Sequence, residues 1–142
     1  KKKKMGTSEL SSLNAEYPKS MAMPNQYGFG GLGIHKFISA ATTNNTFIKK
    51  GGGSVYGFTF YNQSNSPIWV RLFDKASAPV DADISIMTFA VPAASNGGSV
   101  TVSLPVGIAF KLGIGFNVTT GGNDGNTGVT VANEVFGSIF WK

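Results

Sequence analysis

From Ile34 to the C-terminus the chain is a succession of short apolar-rich runs, none with a helical period, each closed by residues that favour turns. That pattern leaves little room for any fold built on helices. Strands are predicted at 34–42, 46–50, 54–62, 67–74, 84–91, 98–104, 107–119 and 129–141. Between them stand Asn44-Asn45, Gly51-Gly52-Gly53, the stretch from Asn62 to Pro67, Ala76 to Pro79, Asn96-Gly97-Gly98 and Gly121 to Gly128, residues that supply positive φ or close local side-chain to backbone hydrogen bonds. Alternation with period two places Tyr56, Phe58 and Phe60 on one face and Val55, Thr59 and Tyr61 on the other. It likewise sets Val100, Val102 and Leu104 against Ser99, Thr101 and Ser103. Strands enriched in Val, Ile, Phe, Thr and Tyr at fairly even spacing, with no βαβ unit, predict an all-β fold: an antiparallel β-sandwich, jelly-roll-like, with an extended N-terminal arm.

The arm is residues 5–33, ahead of a sandwich domain at 34–142; the lysine run 1–4 is read apart from both. Leu10, Leu13 and Tyr17 fall at helical spacing behind Thr7 or Ser8 as a cap, and Pro18 closes that turn. Beyond it, Met21, Met23, Tyr27, Phe29 and Leu32 are scattered among Pro24 and four glycines. Regular structure cannot bury these side chains, and glycine raises the entropic cost of ordering them. Their burial is therefore expected on another molecule's surface.

Charge and composition exclude several function classes. The formal net charge of +5 comes from 12 basic and 7 acidic residues, and four of the basic ones are Lys1 to Lys4, just ahead of Met5, which reads as a natural start. Without them the balance is 8 against 7, so the body lacks the clustered Lys and Arg of a nucleic-acid footprint. No cysteine is present, which rules out disulfides and thiolate metal sites. The segment after Met5 has no apolar core of a secretory signal, and the uncharged stretch 84–110 is broken by Pro92, Pro105 and a glycine pair. The expectation is a protein made in a cytoplasm, with no membrane, nucleic-acid or cofactor partner.

Candidate chemistry is sparse. Gly28, Gly30 and Gly33 spell G-x-G-x-x-G, but no strand precedes them, no helix follows, and the acidic residue about twenty positions on is missing. His35 is the only imidazole; with no nucleophile elbow it reads as a polar-face or interface residue rather than a catalytic base. Asp81 and Asp83 lie on one side of an extended chain near Asp74, an arrangement open to a weak cation site but better read as a solvated turn after Pro79. Asn123-Asp124-Gly125-Asn126 lacks the distal Glu of a calcium loop and reads as a hairpin tip. Trp69 and Trp141 are candidates for a sugar- or base-stacking surface, and more readily for core and subunit contact. The sequons at Asn44, Asn62 and Asn117 carry meaning only with secretion. No catalytic, cofactor-binding or metal residue is assigned, and no enzymatic activity is expected.

Several segments, in order, resemble a family pattern. Tyr61-Asn62, the run IWVRLFDKA from Ile68 to Ala76, and Ala78-Pro79-Val80 are similar to the YN…YVKLYDKA…P pattern of small structural proteins of tailed bacteriophages and prophages. Pro105 to Phe110, Leu112-Gly113-Ile114, the Asp124, Thr127, Val129 turn and the Trp141-Lys142 ending continue the likeness, over about residues 38–142. The chain departs from it at Asp81-Ala82-Asp83-Ile84, where the pattern carries Gly and Pro. The resemblance implies a virion component on the capsid surface, made in the host cytoplasm: a cement or decoration protein, expected as a homotrimer in partnership with the major capsid protein. A tail, baseplate or receptor-binding subunit is the alternative within that class, and a carbohydrate-binding module the alternative outside it. The capsid contacts expected are Leu10, Leu13, Tyr17, Met21, Met23, Tyr27, Phe29 and Leu32.

Overall fold

The computed structural model describes residues 31–142, and the body is the compact unit Gly33–Lys142. Eight strands form it: β1 (Gly33–Ile38), β2 (Thr46–Lys50), β3 (Gly53–Asn62), β4 (Ile68–Asp74), β5 (Met87–Val91), β6 (Ser99–Phe110), β7 (Gly113–Thr119) and β8 (Val135–Trp141), with one 3₁₀ turn at Ala94–Asn96. They make two four-stranded sheets, ordered β1-β8-β3-β6 and β2-β7-β4-β5, and every pairing is antiparallel. Only β4 and β5 follow one another within a sheet; every other connection passes to the opposite one. The result is an all-β, sandwich-like body that does not close into a barrel.

The inner faces supply the core. Phe37, Phe58, Phe60 and Ile139 of the first sheet meet Val70, Leu72, Ile114, Phe116 and Val118 of the second. Phe58 stacks on Phe89 across the interlayer at 3.9 Å between centroids and 8° between planes, and Phe37 meets Phe116 edge-on at 5.4 Å. Each such side chain contributes about 2–3 kcal/mol on leaving water. His35 shares the inner side of β1 with Phe37, and its ring meets Phe116 at 5.6 Å. It is thus half-buried at the mouth of the core rather than on a polar face, and burial lowers its pKa below the ordinary 6.5.

Four expectations are corrected in detail. The register between β3 and β6 shifts between Val55 and Gly57, and Tyr56 faces the bulge Leu104–Gly107. That shift turns Val55 inward beside Phe58 and Phe60 and leaves Tyr56 against Gly107, whose φ of +82° the bulge requires. Pro105 therefore does not end a strand. It lies in the bulge of β6, at the sheet edge, where no ladder N–H is needed. The break falls instead at Lys111-Leu112. There the Asp74 carboxylate, from the end of β4, accepts the backbone N–H groups of Lys111, Leu112 and Gly113. Residues 129–134 are loop rather than strand, so 123–126 is no hairpin tip: it belongs to the connection from β7 in one sheet to β8 in the other.

Candidate interaction surface

The two sheets treat their outer faces differently. On the first sheet, register and alternation set outward side chains in rows that run across the strands. One row is Ile38, Phe136 and Tyr61. The next is Lys36, Ser138, Thr59 and Thr101, and the third is Ile34 and Phe140 beside Gly57. A polar row thus lies between two apolar ones. Ile34 is 66% exposed, and Ile38 and Tyr61 are each 45% exposed. A shallow groove of about 390 Å³ runs over this face, lined by Ile34, Lys36, Thr59, Tyr61, Phe136 and Ser138. Thr59 and Thr101 share a hydroxyl hydrogen bond of 2.9 Å across the row. The Lys36 ammonium makes no hydrogen bond or ion pair among the described residues; Lys75 with Asp83 is the salt bridge recorded there.

On the second sheet, the outward side chains are covered by the chain's own loops. Arg71, on β4, is fully buried: its Nε donates to Asn117 Oδ1 at 3.0 Å, Nη1 to the Asn123 carbonyl at 3.3 Å and Nη2 to the Asn126 carbonyl at 3.1 Å. The guanidinium lies 5.5 Å from the centroid of the Phe73 ring. Asn117 Nδ2 donates onward to Asn45 Oδ1, and Asn45 Nδ2 to Asp81 Oδ1. The loop after β7 also packs on Trp69: a Cβ placed at Gly122 would lie 2.6 Å from the indole, so only glycine lets the backbone approach. Asp124 then joins this loop to the one before β5, accepting from the Ser85 backbone N–H and hydroxyl. Those contacts hold its carboxyl below the usual carboxylate range.

The turn after β4 is built the same way. Asp83 takes the Lys75 ammonium at 2.7 Å and the Val80 N–H at 2.8 Å, and both depress its pKa, the lysine contact most. Asp81 turns instead to Asn45. The two carboxylates thus serve separate partners in a turn, and among the described residues no group of three or more His, Asp or Glu is placed to hold a metal. Asp74 is also held low, first by the Lys111 N–H. The three sequon asparagines are all buried and bonded: Asn44 to Val118, Thr130 and Ala40, Asn62 to Ser66, Pro92 and Ser64, and Asn117 to Arg71. They serve as loop staples in the fold.

Of the expected contact residues, Leu32 is described and is 43% exposed. Leu10, Leu13, Tyr17, Met21, Met23, Tyr27 and Phe29 lie outside the described residues, as do Gly28 and Gly30. Trp69 and Trp141 are half-buried and sit in different sheets, Trp69 against Gly122 and Trp141 against Gly33, so they do not form a joint platform. Sequence reasoning missed the outward rows. The available signal was β1 itself, where Ile34 and Ile38 alternate with His35 and Phe37 and leave apolar side chains on both faces. Among the described residues no helix is long and apolar enough to cross a membrane. Comparison with protein-family models, with curated proteins and with solved structures found no match.

Proposed function

We propose that the chain is a structural protein of a bacteriophage virion, a cement or decoration protein that binds the outer capsid surface and stabilises the head. The observation that carries the reading is the outer face of the first sheet, where Ile34, Ile38, Tyr61, Phe136 and Phe140 form two apolar rows with no loop laid over them among the described residues. A face of that kind is suited to adhesion: apolar area buried against a partner contributes about 25 cal/mol per Å². The family resemblance of residues 38–142 points the same way. So does the apolar content of 5–33, an arm that would add Leu10, Leu13, Tyr17, Met21, Met23, Tyr27, Phe29 and Leu32 to the contact.

The body is proposed to be a jelly roll. In its support, strands 1-8-3-6 face strands 2-7-4-5, and successive strands alternate between sheets except at β4 and β5. That architecture serves capsid and lectin domains alike and does not by itself choose between them. Several copies around one symmetry axis, a homotrimer in this reading, would multiply a modest single contact with the major capsid protein.

The test is to mix the full chain with heads purified without it and count bound copies. Hundreds per particle are expected. A handful, or none on heads with binding to tailed particles instead, would favour a tail, baseplate or receptor-binding subunit, and none on either would end the virion reading. Deleting residues 5–29 is expected to abolish particle binding and leave the body folded. For a carbohydrate-binding module, glycan-array binding should be lost in Trp69→Ala; no binding by either protein is expected here.

A further inference from the structure

We infer that the first sheet takes a fifth strand at β1, and that the strand it selects carries a carboxylate flanked at i±2 by apolar side chains. The inference deepens the proposed adhesive role and rests on it, naming the partner's chemistry at the same face.

Among the described residues β1 lies at the end of its sheet and pairs only with β8. In an antiparallel ladder every second residue of an edge strand points its N–H and C=O away from its neighbour. No hydrogen bond beyond the β8 ladder is made by residues 33–38 among the described residues. That edge is continuous with the rows described above, and an added strand would extend each of them by one side chain. The residues beside Ile34 and Ile38 then lengthen apolar rows ending in Phe140 and Phe136. The residue between them lands beside Lys36.

Charge decides which strand fits. Among the described residues Lys36 has no counter-charge, and its row continues as Ser138, Thr59 and Thr101, all neutral. An acidic side chain beside it gains a cross-strand ion pair, and a basic one meets a like charge directly opposite. A second copy paired through its own β1 in central register would bring Lys36 against Lys36, so the preferred occupant is a segment of another protein. A lysine on an edge strand also discourages indiscriminate pairing, the same selectivity seen from the excluded side.

The probe is a pair of blocked five-residue peptides, Ile-Thr-Glu-Thr-Ile and Ile-Thr-Lys-Thr-Ile, titrated into the full chain and followed by amide chemical shifts. The glutamate peptide is expected to bind about fivefold more tightly than the lysine peptide, with shifts confined to residues 33–38 and 135–141. Lys36→Glu is expected to invert the preference with the fold unchanged. Equal binding of the two peptides, binding of neither, or shifts centred elsewhere would overturn the inference. So would dimerisation through β1 in the unliganded chain, or protection from exchange there of those amides of residues 33–38 that point away from β8. Particle binding by Lys36→Glu separates the two proposals: unchanged copy number with charge-blind peptides would sink the strand chemistry and leave the adhesive role standing.

Discussion

The outer faces of the two sheets begin from similar strands and end in opposite states. On the second sheet the outward positions of β4 and β7 carry Trp69, Arg71, Phe73, Gly115 and Asn117, and the loops after β4 and β7 close over them. Pro79 packs on Gly115 and Gly122 on Trp69, while Arg71 is bonded by two loop carbonyls. On the first sheet the outward positions are Ile34, Ile38, Phe136, Phe140 and Tyr61, with no such cover among the described residues. The lesson is that polarity alone does not tell a buried face from an exposed one. The covered face holds the buried cation, and the uncovered face is rich in large apolar side chains. What separates them is whether long connections return across the sheet. A face covered at the cost of ordering two loops serves the fold, and the apolar face left bare among the described residues is the one proposed as an interface.

The largest effect that would break this contrast is expected at Arg71. Arg71→Ala removes a buried donor to three acceptors and unpins the loop after β7, and should cost about 3 kcal/mol in denaturant unfolding. A loss below about 1 kcal/mol would mean that the covering loops do not need it. Asn117→Ala is next: it strips the acceptor from Arg71 Nε and the donor to Asn45, and should cost about 2 kcal/mol by the same measurement. On the bare face the sign of the comparison reverses. Ile38→Ser with Tyr61→Ser should stay within about 1 kcal/mol of the parent in stability, because both side chains already meet water. The same pair should weaken particle binding at least about tenfold. Unfolding without loss of binding would exchange the roles assigned to the two faces.

The smallest expected effect is on pH dependence, and it belongs to the core mouth and the loop staples. Burial lowers the His35 pKa below the ordinary 6.5, so its contribution is fully present above that value and is lost as pH falls from there toward the folded pKa. Asp74, Asp83 and Asp124 are depressed below 3.8, so their contributions are present above it and lost as pH falls further. Thermal melts should therefore soften in two steps on acidification. His35→Gln should flatten the upper step alone. An unchanged upper step in that variant would contradict the burial assigned to His35.

Eight strands, their antiparallel class and the turn chemistry were legible in the sequence, and 46–50 coincides with β2 to the residue. Local pattern suffices there because alternation and turn residues are local. What escaped was set by distant partners. The break at Lys111-Leu112 is made by Asp74, from β4, while the nearer proline, usually a stronger breaker, is absorbed in an edge bulge. Val55 changed faces because β3 bulges at Tyr56, where its register shifts against both β8 and β6. Arg71 falls on the outward side of β4, opposite Val70 and Leu72, and its burial is created by a loop some fifty residues further along the chain. The candidate face was half legible: Ile34, Lys36 and Ile38 show an apolar edge strand, but Phe136 and Tyr61 join them only through strand order, which no local pattern encodes.

The most direct measurement is hydroxyl-radical footprinting of the free subunit and of the same subunit bound to heads. The account predicts that Ile34, Ile38, Tyr61 and Phe136 are labelled when free and shielded when bound, with Trp69 and Phe73 unchanged between the two states. Equal labelling of the first four in both states, or shielding gained at the loops over the second sheet instead, would contradict it.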